Sequence, residues 1–559
     1  MRIERAVLTL ILIAFAAAAA HGMRADLPYS RFATEEEQVF YALKFGSGDL
    51  NPHYFLHPPL FAYALFAVYG VVFVAGRLGG WFHGPADLER LFFTDATFFF
   101  LIARILVLSL ALVGLLVFYR LAKRLYGRES IALVATGFLG ASTLHVGAAH
   151  YANTDIPMMV LALAAFHLIV SVLRKGRIAH YALAGLCIGL ATATKYNAAW
   201  LGVALVIAHA LRGESGGWRS RLQPAAWRPL AIGLLMIPLG FVIGCPFALF
   251  DPRTFLASFA KLRWELMTPE YHFASYRAQG PGHLFVLTDV LPSTMGMPLT
   301  VMCLFGLLVA LRKCKPEDLL LAGFLLTFVG YLGTWDIIKP RYFIYALPLA
   351  FILAARACVL LVDGLASQRA RAVALAAAYA ALVIAPWHQT LEFNRLVAQT
   401  PVPVQVRAWV EQHVPQGTGI ALSAGIPLVP NEASIARQLE ETRTKGLGKG
   451  IRLQRLSRHL SSIPATYDLW YLPYPWREDF DPSDFDLAQH RRAGVRYVLL
   501  TQEADEYLAD PIRYRAQAAY VESVRRSGHL VREFRQSSPV VDPGLGSQEA
   551  VMIYELAPS

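Results

Sequence analysis

Residues 98–124 read FFFLIARILVLSLALVGLLVFYRLAKR, a largely apolar run with one internal charge, Arg104, and a basic cluster at its end. An α-helix needs about 20 apolar residues to cross the hydrocarbon core of a bilayer. Similar runs recur over the first two thirds of the 559-residue chain, which is 56% hydrophobic and 16% charged. These runs lack the alternation of a β-barrel, and they therefore predict a polytopic α-helical membrane protein.

The positive charge of the chain follows its topology. The net charge is +11, and the Lys and Arg residues of the first part lie in short loops between apolar runs, such as 120–130 and 174–179. Short cytoplasmic loops are enriched in Lys and Arg, so the charge is explained by membrane orientation and does not indicate nucleic-acid binding.

The distribution of Lys and Arg also predicts the topology of the whole membrane part. Arg2 and Arg5 place the N-terminus in the cytoplasm, and Ala6–Ala20 is taken as an uncleaved first helix, with a signal peptide as the alternative. The run Pro59–Val74 is expected to lie in the interface, because counting it as a span would turn every later basic loop outward. About eleven spans result: 6–20, 98–119, 131–149, 156–173, 180–194, 197–211, 229–247, 290–311, 319–337, 342–362 and 372–388.

The composition changes after about residue 389. VQVRAWVEQHVPQGTGIALSAG and LAQHRRAGVRYVLLT each read as a helix followed by a buried strand, and similar segments follow. We predict a membrane domain over 1–388 and an extracytoplasmic soluble α/β domain over 389–559. No cysteine follows Cys358, and no catalytic or metal-binding motif is evident, so a docking or lid module is expected.

The acidic stretch 31–60, RFATEEEQVFYALKFGSGDLNPHYFLHPPL, follows the first helix and is expected to lie outside. Glu35 and Glu36 are candidate general bases, because a carboxylate at the membrane edge can take a proton from a hydroxyl. The alternative is an ordinary solvated loop. The topology brings Asp155 to the same side; it is either an N-cap of the helix that follows or a functional acid.

Several cations share that side. Lys195 interrupts GLATATKYNAAW and could snorkel or bind a phosphate. Arg341 offers a planar fork suited to phosphate oxygens. Arg104 needs an anionic or polar partner, and a structural ion pair with an acid of 31–60 is the alternative to substrate binding. The other substrate-binding candidates are His57, His150, Lys339 and Tyr342, with a hydrogen-bonded core histidine as the alternative for His150.

Carboxylates suit deprotonation of a hydroxyl, and cations suit a phosphate leaving group. Aromatic residues in 264–276 could cover a sugar. The combination indicates glycosyl transfer from a lipid phosphate. Two alternatives remain: a carrier or flippase for lipid-linked sugars, and a non-catalytic membrane assembly partner. Internal repeats, which many transporters show, are not evident.

Short motifs in a fixed order carry a resemblance that covers about residues 1–390. They are Glu35-Glu36, GDLNPHYF and HPPL in 48–60, AR at 103–104, HYANTDIP at 150–157, ATKY at 193–196 and PRYFIYALP at 340–348. With these motifs the chain resembles the GT-C membrane glycosyltransferases of the protein O-mannosyltransferase type, which include the lipid A aminoarabinose transferases.

The resemblance implies a polyprenyl-phosphate sugar donor, a lipid, glycan or protein acceptor, and an extracytoplasmic active site in the plasma (inner) membrane. Glu35 or Glu36 would be the base, Asp155 would orient the substrate or the base, and Lys195 and Arg341 would hold the donor phosphate. An inverting displacement is implied. No cofactor is expected, and a divalent metal stays open because no ligand cluster stands out.

Overall fold

The computed structural model describes residues 2–30, 33–212, 223–267, 280–423, 425–444, 450–473, 480–536 and 550–557. Most of the aromatic segment 264–276, which the sequence suggested as a cover for the sugar, lies outside these residues. The described chain is a helical part followed by a smaller domain built on a sheet. This confirms the predicted fold class.

The helical part contains the apolar runs identified in the sequence. Its helices are Arg2–Ala20, Ala33–Lys44, Leu60–Leu78, Pro85–Thr94, Thr97–Tyr126, Glu129–Ala141, Thr143–His150, Asp155–Lys175, Ile178–Thr192, Leu201–Leu211, Pro224–Gly244, Phe247–Phe250, Pro252–Met267, Gly282–Phe285, Leu291–Met295, Met297–Lys313, Pro316–Leu332, Leu347–Val362 and Gln368–Val397. Four tighter or wider helical turns lie at Phe45–Ser47, Tyr196–Trp200, Val286–Val290 and Pro340–Phe343.

The number of membrane spans differs from the eleven that the sequence suggested. Among the described residues, six helices are long and apolar enough to cross a membrane, or eight if each of two bent pairs counts as one span. Helices such as Ile178–Thr192 and Leu347–Val362 are shorter than the about 20 residues that a full crossing takes. Leu60–Leu78 does meet the length criterion, and its interfacial orientation stays a prediction.

Two sharp bends interrupt the long apolar runs. Glu129–Ala141 and Thr143–His150 meet at 58°, and the run 282–313 turns by 119° at Gly296. Gly296 has φ 76°, a left-handed value that a residue without Cβ adopts most easily. The first bend directs His150 and the loop after it away from the axis of the preceding helix.

Helices Ile178–Thr192 and Pro224–Gly244 pack backbone to backbone. A Cβ added at Gly185 would lie 1.9 Å from the carbonyl oxygen of Gly233, and one at Gly189 would lie 2.2 Å from that of Ile237. Small residues spaced four apart permit such close approach between membrane helices, where van der Waals packing drives association. The packing continues to the end of the second helix, where a Cβ added at Gly244 would lie 2.5 Å from the side chain of Ala193, two residues before Lys195.

The smaller domain has five strands, β1 (Gly419–Ser423), β2 (Asp468–Leu472), β3 (Val495–Thr501), β4 (Gly528–Arg535) and β5 (Ala550–Leu556). Their order is β2-β1-β3-β5-β4; β1 runs parallel to β2 and β3, and β5 runs antiparallel to β3 and β4. The helices are Val402–His413, Glu432–Thr444, Gly450–Ser457, Leu487–Arg492, Glu503–Ala509 and Arg515–Ser527, and two turns lie at Leu460–Ser462 and Pro482–Phe485.

Both faces of this sheet are covered. Ile420 and Leu422 of β1 pack in a core with Val406, which lies on the helix preceding that strand. Ala421 packs in a second core with Val524, on the helix preceding β4. Alternate residues of one strand thus enter two hydrophobic layers, which explains its continuous apolar sequence. Helix Gln368–Val397 crosses residue 388, and the division of the chain at that point stays a prediction.

Acidification should destabilise the smaller domain through His490, which is buried against Tyr520, with 2.8 Å between its Nδ1 and the phenol oxygen. Burial lowers the pKa of His490 from 6.5 to about 4, with Asp486 opposing and Arg437 adding to the shift. Between these values the unfolded chain binds more protons, so stability falls as pH falls. We expect a loss of about 2 kcal/mol at pH 5 relative to pH 8.

Hydrogen exchange of β3 peptides in the full-length protein, corrected for the intrinsic effect of pH, measures this loss. The His490→Phe variant should have a flatter pH dependence above pH 4, because it has no imidazole to charge. The same slope in both proteins would mean that other groups govern the acid response.

Candidate functional site

The three glutamates on helix Ala33–Lys44 point in three directions. Successive residues of an α-helix are about 100° apart, so three in a row cannot share one face. Glu35 is fully buried, whereas Glu36 and Glu37 are partly exposed. Each carboxylate contacts a different part of the chain.

Glu35 points into the helical part. Its Oε1 accepts hydrogen bonds from Arg104 Nε at 2.9 Å and from the backbone N–H of Ala152 at 2.7 Å. Its Oε2 accepts from Arg104 Nη2 at 2.6 Å and from the hydroxyl of Ser30. Both oxygens of this candidate base are therefore occupied by four donors.

Arg104 is equally saturated. Besides Glu35, it donates to both carboxylate oxygens of Asp26, at 2.8 and 3.1 Å, and to the carbonyl of Met23. Its guanidinium also lies 4.9 Å from the ring centroid of Tyr151. All five N–H groups of Arg104 have protein acceptors, so none is left for a substrate phosphate. The geometry is that of the structural ion pair, the alternative interpretation of this residue.

Glu36 points toward the smaller domain. Its Oε1 lies 2.5 Å from Arg452 Nη2, and the two side chains are 40% and 49% exposed. Nearby, Glu89 on helix Pro85–Thr94 lies 3.4 Å from His459 Nε2 and 3.8 Å from Arg455. Exposed ion pairs contribute little stability each. Here they join the first loop to helix Gly450–Ser457 and the turn after it.

Glu37 points toward the HPPL segment. Its Oε2 lies 3.1 Å from His57 Nδ1, and the two side chains are 21% and 18% exposed. Its Oε1 is buried, and no described residue donates a hydrogen bond to it. Burial, with the charge of Glu37 and the phenol of Tyr54 adding, raises the pKa of Tyr41, so Tyr41 is a neutral hydroxyl beside this carboxylate.

Asp155 forms a buried ion pair with Lys195. The helix begins at Asp155, and its N-cap residue Thr154 makes no side-chain capping bond. Asn153 orients this start, because its Oδ1 accepts from the Asp155 backbone N–H at 2.8 Å. The Asp155 carboxylate thus serves Lys195, which lies 40 residues away, and the capping interpretation is not needed.

Lys195 and Arg341 form the cationic part of the site. The ammonium of Lys195 lies 6.0 Å from the ring centroid of Tyr342, within the range of a weak cation–π contact. The neighbouring Arg341 is partly buried, and its buried Nε has no hydrogen-bond acceptor among the described residues. Lys339 comes directly before the turn Pro340–Phe343 that carries both residues.

Hydrogen bonds tie three segments together around these groups. The Tyr196 hydroxyl donates to the carbonyl of Phe55 at 2.7 Å, and the backbone N–H of Leu60 donates to the carbonyl of Ala193 at 3.1 Å. The Tyr345 hydroxyl donates to the carbonyl of Asn197 at 2.8 Å. The segments with His57, Lys195 and Arg341, distant in sequence, are therefore neighbours.

The side chain of His150 is enclosed by the protein. It is fully buried, with Nδ1 2.9 Å from the Val146 carbonyl and Nε2 2.8 Å from the His21 carbonyl. Since both ring nitrogens face backbone oxygens, its geometry is that of a hydrogen-bonded core histidine.

Sequence reasoning missed two members of this region. Asp26 completes the charge cluster around Arg104, and Glu37 pairs with His57. The signal for Asp26 was its place directly after the first apolar helix, the same argument that singled out the glutamates. Among the described residues, no group of three or more His, Cys, Asp or Glu side chains could hold a metal ion.

The apolar helices followed by a C-terminal sheet domain have the GT-C fold. Residues 91–241 match the family described as dolichyl-phosphate-mannose-protein mannosyltransferase. The family match and the fold point to glycosyltransferase activity.

Two solved structures share the fold. ArnT from Cupriavidus metallidurans in the apo state is 14% identical with a TM-score of 0.52, and the alignment covers 98% of this chain and 97% of that one. The Archaeoglobus fulgidus oligosaccharyltransferase tethered with an acceptor peptide is 11% identical with a TM-score of 0.53, covering 100% and 74%. Among curated protein sequences, none matches significantly.

Proposed function

We propose that this protein transfers a sugar from a polyprenyl-phosphate donor to an acceptor hydroxyl on the extracytoplasmic side, with inversion at the sugar carbon. The acceptor is a lipid, a glycan or a protein. The protein lies in the plasma (inner) membrane, with its N-terminus in the cytoplasm and its smaller domain outside. The match to a mannosyltransferase family and the GT-C fold support this proposal.

One observation carries it: two cations, Lys195 and Arg341, lie at the turn Pro340–Phe343, and Arg341 retains an unused donor. Arg341 Nε is buried without an acceptor among the described residues. Lys195 lies near the ring of Tyr342, the residue that follows Arg341 in the turn. A buried donor left unpaired costs free energy, so such a group is suited to an anionic ligand that completes its bonds. A phosphate oxygen has that chemistry.

Asp155 would then act as a positioning residue for the donor phosphate. By pairing with Lys195, it holds the ammonium in one place before the donor arrives and balances its charge in a site where water is scarce. Acceptor activation would fall to a carboxylate of helix Ala33–Lys44. The proposed reaction needs no cofactor.

The test is turnover of purified protein with mannose, glucose, galactose, arabinose and aminoarabinose on undecaprenyl phosphate, with membrane extract as the acceptor source and release of the lipid phosphate as the readout. Arg341→Gln should raise the KM for the donor at least about tenfold, the value of a charge-assisted hydrogen bond. Arg312→Gln, on the exposed last turn of helix Met297–Lys313, is the matched control and should behave as wild type.

Binding of these donors without release of lipid phosphate would instead indicate a carrier. Equal KM values for Arg341→Gln and wild type would remove Arg341 from the donor site.

A further inference from the structure

The geometry points to Glu37 as the general base of this transfer, with His57 as its positioning residue. This role presupposes the transferase activity proposed above. The sequence favoured Glu35 or Glu36, the positions that the family resemblance implied. The contacts of the three carboxylates instead favour Glu37.

Glu35 is a poor proton acceptor in this fold. Four donors, from Arg104, Ala152 and Ser30, occupy its two oxygens. Protonating it would weaken its ion pair with Arg104, leaving Asp26 as the partner of the guanidinium, and would disrupt hydrogen bonds among buried groups.

Glu36 is held away from the site by the smaller domain. Its Oε1 pairs with Arg452 at 2.5 Å, and the pair is about half exposed to solvent. A base in this position would exchange protons with bulk water. The helix geometry that sends Glu36 to Arg452 necessarily turns Glu37 to another side.

Glu37 alone among the three keeps a carboxylate oxygen that is both sheltered and unused. Oε2 is held by His57 Nδ1, while Oε1 is buried without a donor among the described residues. A buried carboxylate oxygen without a partner is unfavourable unless a ligand supplies a hydrogen. An acceptor hydroxyl is such a ligand.

The position of Glu37 relative to the donor cations fits this role. His57 lies between Phe55 and Leu60, which are hydrogen-bonded to Tyr196 and Ala193 on either side of Lys195. His57, which contacts the proposed base, and Lys195, a cation proposed for the phosphate, thus lie on two segments that are hydrogen-bonded to each other.

In the transfer step, the acceptor O–H gives its proton to Glu37 Oε1 as the acceptor oxygen bonds to the anomeric carbon. The bond from that carbon to the phosphate oxygen breaks on the opposite face, and its electron pair leaves with the lipid phosphate. The configuration inverts, and the charge that develops on the phosphate faces Lys195 and Arg341. His57, as the Nδ1–H tautomer, donates to Oε2 and fixes the carboxylate plane.

The experiment uses full-length protein with the undecaprenyl-phosphate sugar that wild type consumes, and it measures kcat, KM and donor binding for matched variants. Glu37→Gln keeps the shape and the bond to His57, so donor affinity should stay within about twofold while kcat falls about a hundredfold or more, the contribution of a general base. His57→Ala should lower kcat, His57→Gln should restore part of it, and KM should change little in both.

Glu89→Gln is the control. Glu89 lies in the same outer loop and also faces a histidine, His459, but Arg455 and His459 occupy its carboxylate, so its loss should leave kcat unchanged. Near wild-type kcat in Glu37→Gln, or a greater loss in Glu36→Gln, would overturn the assignment while the transferase activity stands. Absence of transfer by wild type would overturn both.

Discussion

Replacing Arg104 with leucine should destabilise the protein by about 3–5 kcal/mol, because it leaves the carboxylates of Asp26 and Glu35 buried without a counter-charge. Both acids are almost completely buried, and each has close contacts with the guanidinium. Thermal unfolding of detergent-solubilised protein, followed with the yield of monodisperse material, measures the effect.

Arg395→Leu is the matched control. Arg395 forms a similar fork with Glu392, but the two side chains are 61% and 41% exposed, so its loss should cost less than about 1 kcal/mol. The triple variant Asp26→Asn, Glu35→Gln, Arg104→Leu should recover part of the stability, because it removes the charges together. Equal stability of Arg104→Leu and wild type would refute the buried cluster.

The second large effect concerns the helix pair that supports Lys195. In Gly185→Val, the first added carbon would lie 1.9 Å from the backbone oxygen of Gly233. A backbone oxygen cannot move aside as the end of a flexible side chain can. The helices would have to separate and lose the second close contact, at Gly189 and Gly240. We expect a loss above the about 1–3 kcal/mol that overpacking usually costs, and little folded protein.

Gly70→Val provides the comparison, because a Cβ at Gly70 has open space around it in another apolar helix. Its yield and unfolding temperature should match those of wild type. A Gly185→Val protein with normal yield and stability would show that the two backbones are not in direct contact.

The contacts of Glu36 suggest why the smaller domain is joined to the helical part. Arg452, Arg455 and His459 come from one short region of that domain and reach acids on two helices of the first loop. The sequence indicated a docking or lid module without naming its partner. In the structure, the acids that these residues contact lie on the loop that also carries the candidate base, and the docking role stays a prediction.

Some site predictions depended on pattern alone and could not be ranked from the sequence. Arg104 inside an apolar run required a partner, and the structure supplies Glu35, 69 residues away, and Asp26, 78 residues away. Asp155 at a helix start had two interpretations, an N-cap and a functional acid; its contact with Lys195 argues against the cap, and its functional role stays a prediction. The roles of these residues in substrate binding stay predictions that the variants above test.

The sequence by itself determined the fold class, a helical membrane protein with a C-terminal sheet domain. The length of the apolar runs, the basic loops between them and the change to alternating helix and strand segments after about residue 389 depend on local composition, which needs no long-range contact to be read. Only the tertiary structure decided which of three adjacent glutamates has a free oxygen. That outcome depends on partners up to 416 positions away along the chain, from Glu36 to Arg452, and on how their helices dock. A helix fixes the angles between neighbouring side chains, whereas packing selects what each one meets.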